Sequence, residues 1–293
     1  MTGPRVAVVL PVRDGAQLLA ECLALVMPQA TALGAEVIVV DDASTDDTAA
    51  VARRYGADVR TQPVAGGPYL ARNAGWEATD SDIVVFTDVR ARPHPGWLGG
   101  VVAALESDPS VAVAGGDVFA QKAASVASRV FARRRGLSSR DSMSDAFLPY
   151  LSTCNLATRR TVLDQLGGFR ALRSGGDLDF CWRAQLEGCG RLQLVEGAGV
   201  DWVARDSVKA LLRQIHRYGA ARPHLDASFA HAGKPLEPPP TRLRWGLYQL
   251  RLFLRTLRSN PRGSLPEELV LRAWDVIYWE GYRRSWAELH GPR

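Results

Sequence analysis

The sequence is short of cysteine. Its 293 residues include four, at 22, 154, 181 and 189. None forms a C-x-x-C pair and no histidine stands at zinc-finger spacing, which argues against a structural zinc finger or a dithiol redox centre. Four reduced and mostly buried thiols are expected, as in a cytoplasmic protein. There is no run of about 18 apolar residues, so no membrane span is expected. No signal peptide is visible either, because the apolar run Val6 to Val12 is short and Arg13 and Asp14 follow it. Charge of one sign is also scarce. Lys plus Arg total 36 against 31 for Asp plus Glu, a net of +5. That excess suits phosphate-bearing ligands or an anionic surface. With no basic zipper, C2H2 pattern or RNP-like aromatic motif, nucleic acid is not an expected partner.

What is present is an ordinary globular composition, 46% hydrophobic and 23% charged, long enough to bury a core without disulfides. Three short segments, VAVVLPV (6–12), EVIVVDD (36–42) and DIVVFTD (82–88), are β-branched and almost continuously apolar. That pattern fits strands covered on both faces, as in a parallel sheet. Helical patterns lie between them, over 15–25, 44–56 and 68–79, the last opening on Pro68. The alternation predicts a doubly wound α/β half at the N-terminus. VAVAGG (111–116) reads as a further strand and VASRVFARRRG (126–136) as a basic helix. A proline-rich stretch, 231–241, reads as a linker.

Ligands of open parallel sheets sit beyond the C-terminal strand ends. Here those ends carry Pro11, Val12, Arg13 and Asp14, then Asp41 and Asp42, then Asp88 and Arg90. A single acid at such a place is as readily a helix cap or a solvated turn. Three successive strands delivering acids to one rim favour a site. PVRDGA follows the first strand, so the G-x-G-x-x-G of a dinucleotide fold is missing, and no P-loop occurs. A carboxylate rim without a glycine cradle suggests a nucleotide held by side chains, often with a metal on its phosphates.

Several ordered segments then resemble the family-2 glycosyltransferases of the GT-A fold, over roughly residues 5–221. They are VAVVLPVRDGAQLL, VIVVDDASTDDT, LARNAGWEA, FTDVRARPHPGWL, LPYLSTCNLATRRTVLDQLGGF, SGGDLDFCWRAQLEG and QIHRYG. The resemblance implies a GT-A fold: a Rossmann-like, mostly parallel sheet flanked by helices, here with a helical C-terminal extension. It implies a domain over 1–230, its nucleotide-sugar half about 1–120 and its acceptor half about 121–230, then the linker and extension over 231–293. The implied activity is inverting transfer of a sugar from a UDP-, GDP- or dTDP-sugar to an acceptor hydroxyl. The alternative is a degenerate domain that binds nucleotide-sugar or a protein partner without turnover.

The resemblance also implies roles for matching positions. Pro11, Val12, Asp41 and Asp42 would hold base and ribose. Arg72 and Asn73 would lie near the donor, with Arg72 able to fork onto phosphate; the bland alternative is that both tie helix to sheet. Arg217 would border the same site. Asp177 would be the general base, Gly175 and Gly176 leaving the backbone before it open, and Asn155, Gly176 and Asp179 would stand on the acceptor side. On a helix, positions 177 and 179 do not share a face, so only one should meet the acceptor.

The pattern breaks at one place. The family's D-x-D becomes Asp88-Val89-Arg90, and Trp202 aligns where the family often has a histidine. A guanidinium donates only and cannot ligate a cation. Two expectations stay open: Asp88 holds a Mn or Mg ion through water and the nucleotide phosphates while Arg90 points away, or Arg90 supplies the charge that a metal gives elsewhere and Asp88 orients it or a sugar hydroxyl. Beyond the resemblance, residues 242–258 carry five arginines around an apolar stripe. Such a helix either packs on its own domain or rests peripherally on a membrane.

Overall fold

The apolar β-branched runs form the middle of a sheet, and polar segments supply its edges. The computed structural model describes residues 3–121, 124–259 and 265–291. In chain order the elements are β1 Val6–Val12, α1 Ala16–Leu33, β2 Glu36–Asp41, α2 Thr48–Arg54, β3 Asp58–Thr61, α3 Pro68–Trp76, β4 Ile83–Thr87, β5 Ala91–Pro93, α4 Trp97–Ser107, β6 Val111–Gly115 and β7 Val118–Ala120. There follow α5 Val126–Arg133, α6 Ser139–Ser142, β8 Asn155–Arg159, α7 Arg160–Leu166, α8 Gly176–Leu186, β9 Arg191–Leu194, β10 Val200–Trp202, α9 Val208–Ser228, α10 Arg242–Ser259 and α11 Leu265–His290.

The chain divides into two compact units, Met1–Gln121 with Leu137–Val203, and Lys122–Gly136 with Ala204–Arg293. The division thus falls after β10 rather than near residue 230, and α5 belongs to the second unit. The first unit holds a seven-stranded sheet in the order β3-β2-β1-β4-β8-β6-β9. Only β8 runs antiparallel to its neighbours β4 and β6. A three-stranded sheet, β5-β10-β7, lies beside it in the same unit. The chain moves outward from β1 through β2 to β3, then returns across β1 to β4. The point where this direction reverses, between β1 and β4, is where open α/β sheets leave a crevice.

Helix α3 sits tightly over that point. A Cβ on Gly75 would fall 2.4 Å from a methyl of Val9, so only glycine lets the helix lie this close to β1. Arg72, one turn earlier on the same face, is thereby brought down onto the strand ends. Helix α1 is the one described helix long and apolar enough, by length and composition, to cross a membrane, which the sequence reading did not foresee. Its stripe of Leu19, Cys22, Leu23, Val26 and Ala30 is buried within the first unit.

The second unit is helical. Helix α11 runs against α9. Helix α5 joins α11 through Arg129 to Glu267 at 2.6 Å, Arg133 to Glu268, and Arg134 to Asp275. The proline-rich segment is fastened to α11, where the Tyr282 hydroxyl donates to the Glu237 carbonyl at 2.8 Å and Arg283 donates to that of Pro240.

Candidate active site

Three loops meet at the rim beyond β1 and β2, and acids lace them together. Asp14 and Ala43 hold left-handed backbone, φ 47° and 57°, which costs a non-glycine residue energy. Cross-loop bonds hold that shape. Asp14 accepts from the Thr45 amide at 2.7 Å, and its own amide donates to Ser44 Oγ. The Asp42 amide donates to the Val12 carbonyl at 2.8 Å. Both Asp42 oxygens are occupied, by the amides of Gly66 at 2.7 Å and Gly67 at 2.9 Å. Asp42 therefore shapes the loop before α3. Asp41, also buried, accepts from the Ser44 amide with one oxygen. Pro11 and Val12 are buried at the end of β1.

Beyond β4, Arg72 and Asp88 form an ion pair at 2.5 Å, the arginine side chain only 3% exposed. Arg72 Nη1 reaches the Pro68 carbonyl at 3.4 Å, and its buried Nε has no partner among the described residues. The guanidinium carbon stands 5.2 Å from the centre of the Tyr69 ring. The Tyr69 hydroxyl donates to Asp177 Oδ1 at 3.3 Å. Asp88, Arg72, Tyr69 and Asp177 thus form one chain of contacts along the first turns of α3. Tyr69 had no assigned role in the sequence. The readable signal was its position three before Arg72, on the same helical face.

Asp177 opens α8 and is half-buried. Its Oδ1 also accepts from the Leu178 amide. Burial pushes its carboxyl above the usual range, while the Arg72 charge and the Tyr69 hydrogen bond oppose that rise. A Cβ on Gly176 would meet the Tyr69 ring at 2.7 Å, so glycine there admits the ring beside the carboxylate. Cys154 is buried near both Asp88 and Asp177, and its thiol is driven well above its ordinary value by desolvation first and by those two charges next.

Three expected ligand contacts are instead spent on the fold. Asp179 is 1% exposed and bridges Arg170 at 3.0 Å and Arg183 at 2.9 Å, so it is an internal ion pair, not an acceptor contact. Asn155 is fully buried; its amide donates to the Ala198 carbonyl at 2.9 Å and accepts from the Trp97 indole at 2.8 Å. Asn73 donates to the Phe169 carbonyl at 2.7 Å and accepts from its amide at 2.9 Å, tying α3 to the turn after α7. Arg217 lies exposed on α9, in the second unit.

The residues present fit a protein-held metal poorly. Asp88 Oδ1 is engaged by Arg72. Arg90 Nη1 donates to the Val203 carbonyl at 3.1 Å, and the Val203 amide donates back to the Arg90 carbonyl. Trp202, at the end of β10, offers only an indole donor. Among the described residues no three His, Cys, Asp or Glu side chains gather as a metal-binding group.

The sequence profile described as glycosyl transferase family 2 matches residues 7–167. The chain belongs to glycosyl transferase family 2. It is 31% identical over 191 residues to the glycosyltransferase AglE of Haloferax volcanii, covering 62% of either chain. It is 30% identical over 224 residues to the pre-mycofactocin glycosyltransferase of Mycobacterium tuberculosis, covering 68% of this chain and 45% of that one. It therefore spans about half to three-fifths of these relatives. Among solved structures, the mannosyltransferase PcManGT of Pyrobaculum calidifontis, in complex with GDP-Man and Mn2+, superposes with a TM-score of 0.63 at 22% identity over 98% of this chain and 85% of that one. Glucosyl-3-phosphoglycerate synthase of M. tuberculosis, in complex with UDP, gives 0.55 at 23% identity over 80% and 82%. These likenesses establish the GT-A fold.

Proposed function

We propose that this family member transfers a sugar from a nucleotide-sugar to an acceptor hydroxyl with inversion, and that Asp177 is the general base. The observation that carries the reading is the state of Asp177. It is a half-buried carboxylate whose affinity for a proton is raised by burial, linked through Tyr69 to the cation at the strand ends. A base that takes a proton in the transition state works best when its pKa is lifted toward the working pH. The acceptor hydroxyl oxygen attacks the anomeric carbon while its proton passes to Asp177. The bond from that carbon to the diphosphate oxygen breaks, and the nucleoside diphosphate departs with the electron pair.

Pro11, Val12 and Asp41 line the rim where base and ribose would lie, with Asp42 holding the adjoining loop. Arg72 and Arg90 supply positive charge for the departing diphosphate. The neighbours' bound GDP-Man and UDP support a nucleotide-sugar donor, and UDP-, GDP- and dTDP-sugars are the set to try. The four free thiols fit work in the cytoplasm. In excess chelator, transfer is expected to continue; complete dependence on Mn or Mg overturns the role given to the arginines.

Arg90 in place of a second carboxylate also favours one other reading, binding of nucleotide-sugar without turnover. A transfer and hydrolysis assay with the donor panel separates the two. Asp177→Asn is expected to lower kcat about 10³-fold. Donors that bind but turn over at the same slow rate in both forms establish the binding module.

A further inference from the structure

Helix α10 presents two different faces. One packs within the second unit: Gln249 is buried and accepts from Arg272 at 3.3 Å, and Trp245 meets Trp279 with ring centres 5.7 Å apart. On the other face Leu243, Leu247, Leu250 and Leu254 are 76%, 48%, 53% and 44% exposed. Spacings of four, three and four residues align them in one stripe about 16 Å long. Water gains nothing from such a row, and a stripe of this kind marks an interaction surface.

Charge decides what covers it. Arg244, Arg251 and Arg255 are exposed along one flank of the stripe and form no ion pair or hydrogen bond among the described residues. Residues 242–259 contain no Asp or Glu at all. A second copy of this chain would bring the same guanidiniums against these, so self-association repels where it would need to attract. An occupant that is apolar inside and anionic at its margin satisfies both rows at once. We propose that α10 lies on an anionic lipid bilayer, its four leucines in the acyl boundary and Arg244, Arg251 and Arg255 on the headgroup phosphates. That is the arrangement of an interfacial helix, which rests in the plane of the membrane and does not cross it. The proposal rests on the second unit alone and stands whether or not the first unit transfers sugar.

The test mixes the full chain with large vesicles, either of phosphatidylcholine alone or with one-third phosphatidylglycerol, and separates bound from free by flotation. Binding to the anionic vesicles and not to the neutral ones is expected, weakening as salt rises. Changing Arg244, Arg251 and Arg255 together to Gln is expected to lower the partition coefficient about 100-fold, near fivefold per charge. The pair Leu247→Glu and Leu250→Glu should abolish binding with unchanged helical circular dichroism. Hydrogen exchange on the unaltered chain is a check that needs no variant, with protection by anionic vesicles expected within 242–256. The proposal is overturned if anionic vesicles bring no flotation, or if protection falls outside α10. It is equally overturned if the chain is a dimer that the Leu→Glu pair dissociates while the unaltered chain ignores lipid.

Discussion

The C-terminal end of β2, with the residue that follows it, and the first turn of α8 each carry two acids, and they use them in opposite ways. Where β2 ends, Asp41 and Asp42 are both buried and both accept backbone amides, so the pair builds loops. At α8, the inner acid Asp179 is saturated by two arginines, while the outer one, Asp177, keeps unspent acceptor capacity in a desolvating setting. Burial alone therefore does not mark a functional carboxylate. What sets the proposed base apart is acceptor capacity left over beside a desolvating wall.

The contrast breaks first at Asp179. Asp179→Ala leaves Arg183 buried without its partner and is expected to cost about 3–5 kcal/mol in denaturant unfolding. Asp177→Asn should be neutral or slightly stabilising at pH 7. A carboxyl whose folded pKa lies above its unfolded value weakens the folded state wherever it is ionised, and the amide removes that penalty. Equal losses at the two positions would erase the distinction. Next in size is Asn155→Ala, which strands the Trp97 indole and the Ala198 carbonyl and should cost about 2 kcal/mol by thermal or chemical unfolding. Asp42→Asn follows at about 1 kcal/mol, since one of the two amides at Gly66 and Gly67 loses its acceptor.

The smallest effect sharpens the Asp177 side. The Tyr69 hydroxyl favours the ionised carboxylate, so Tyr69→Phe raises the Asp177 pKa. The proposed base acts ionised, so the rise of kcat/KM with pH is expected to move to higher pH. Rates well above both values should agree between the two forms. A pH–rate profile reads the displacement, and a profile moved downward contradicts the assignment.

The legible parts of this chain were those where local pattern and tertiary outcome coincide. The apolar β-branched runs at 6–12, 36–42 and 82–88 read as covered strands, and β1 Val6–Val12, β2 Glu36–Asp41 and β4 Ile83–Thr87 are buried except at Glu36. DVRT and NLATR, which form β3 and β8, carry polar residues and lack that signature. The i to i+4 spacing of Asp179 and Arg183 was readable; the second cation, Arg170, comes from the loop before the helix and was not. Asn73 and Asn155 look like ligand contacts because they fall in segments that resemble the family's donor and acceptor motifs. Only the fold reveals that their amides serve Phe169, Trp97 and Ala198. Arg90 was the residue whose type alone carried a conclusion, because no folding can make a guanidinium a metal ligand.

The Tyr69 ring against the bare backbone of Gly176, with its hydroxyl on Asp177 108 positions along the chain, joins α3 to α8. A methyl group at 176 demands a smaller residue at 69, and a smaller residue there opens a void beside the carboxylate and removes its hydroxyl partner. Random mutagenesis under selection should therefore recover a side chain at 176 only together with a smaller residue at 69, whereas Phe at 69, which keeps the ring, is tolerated alone.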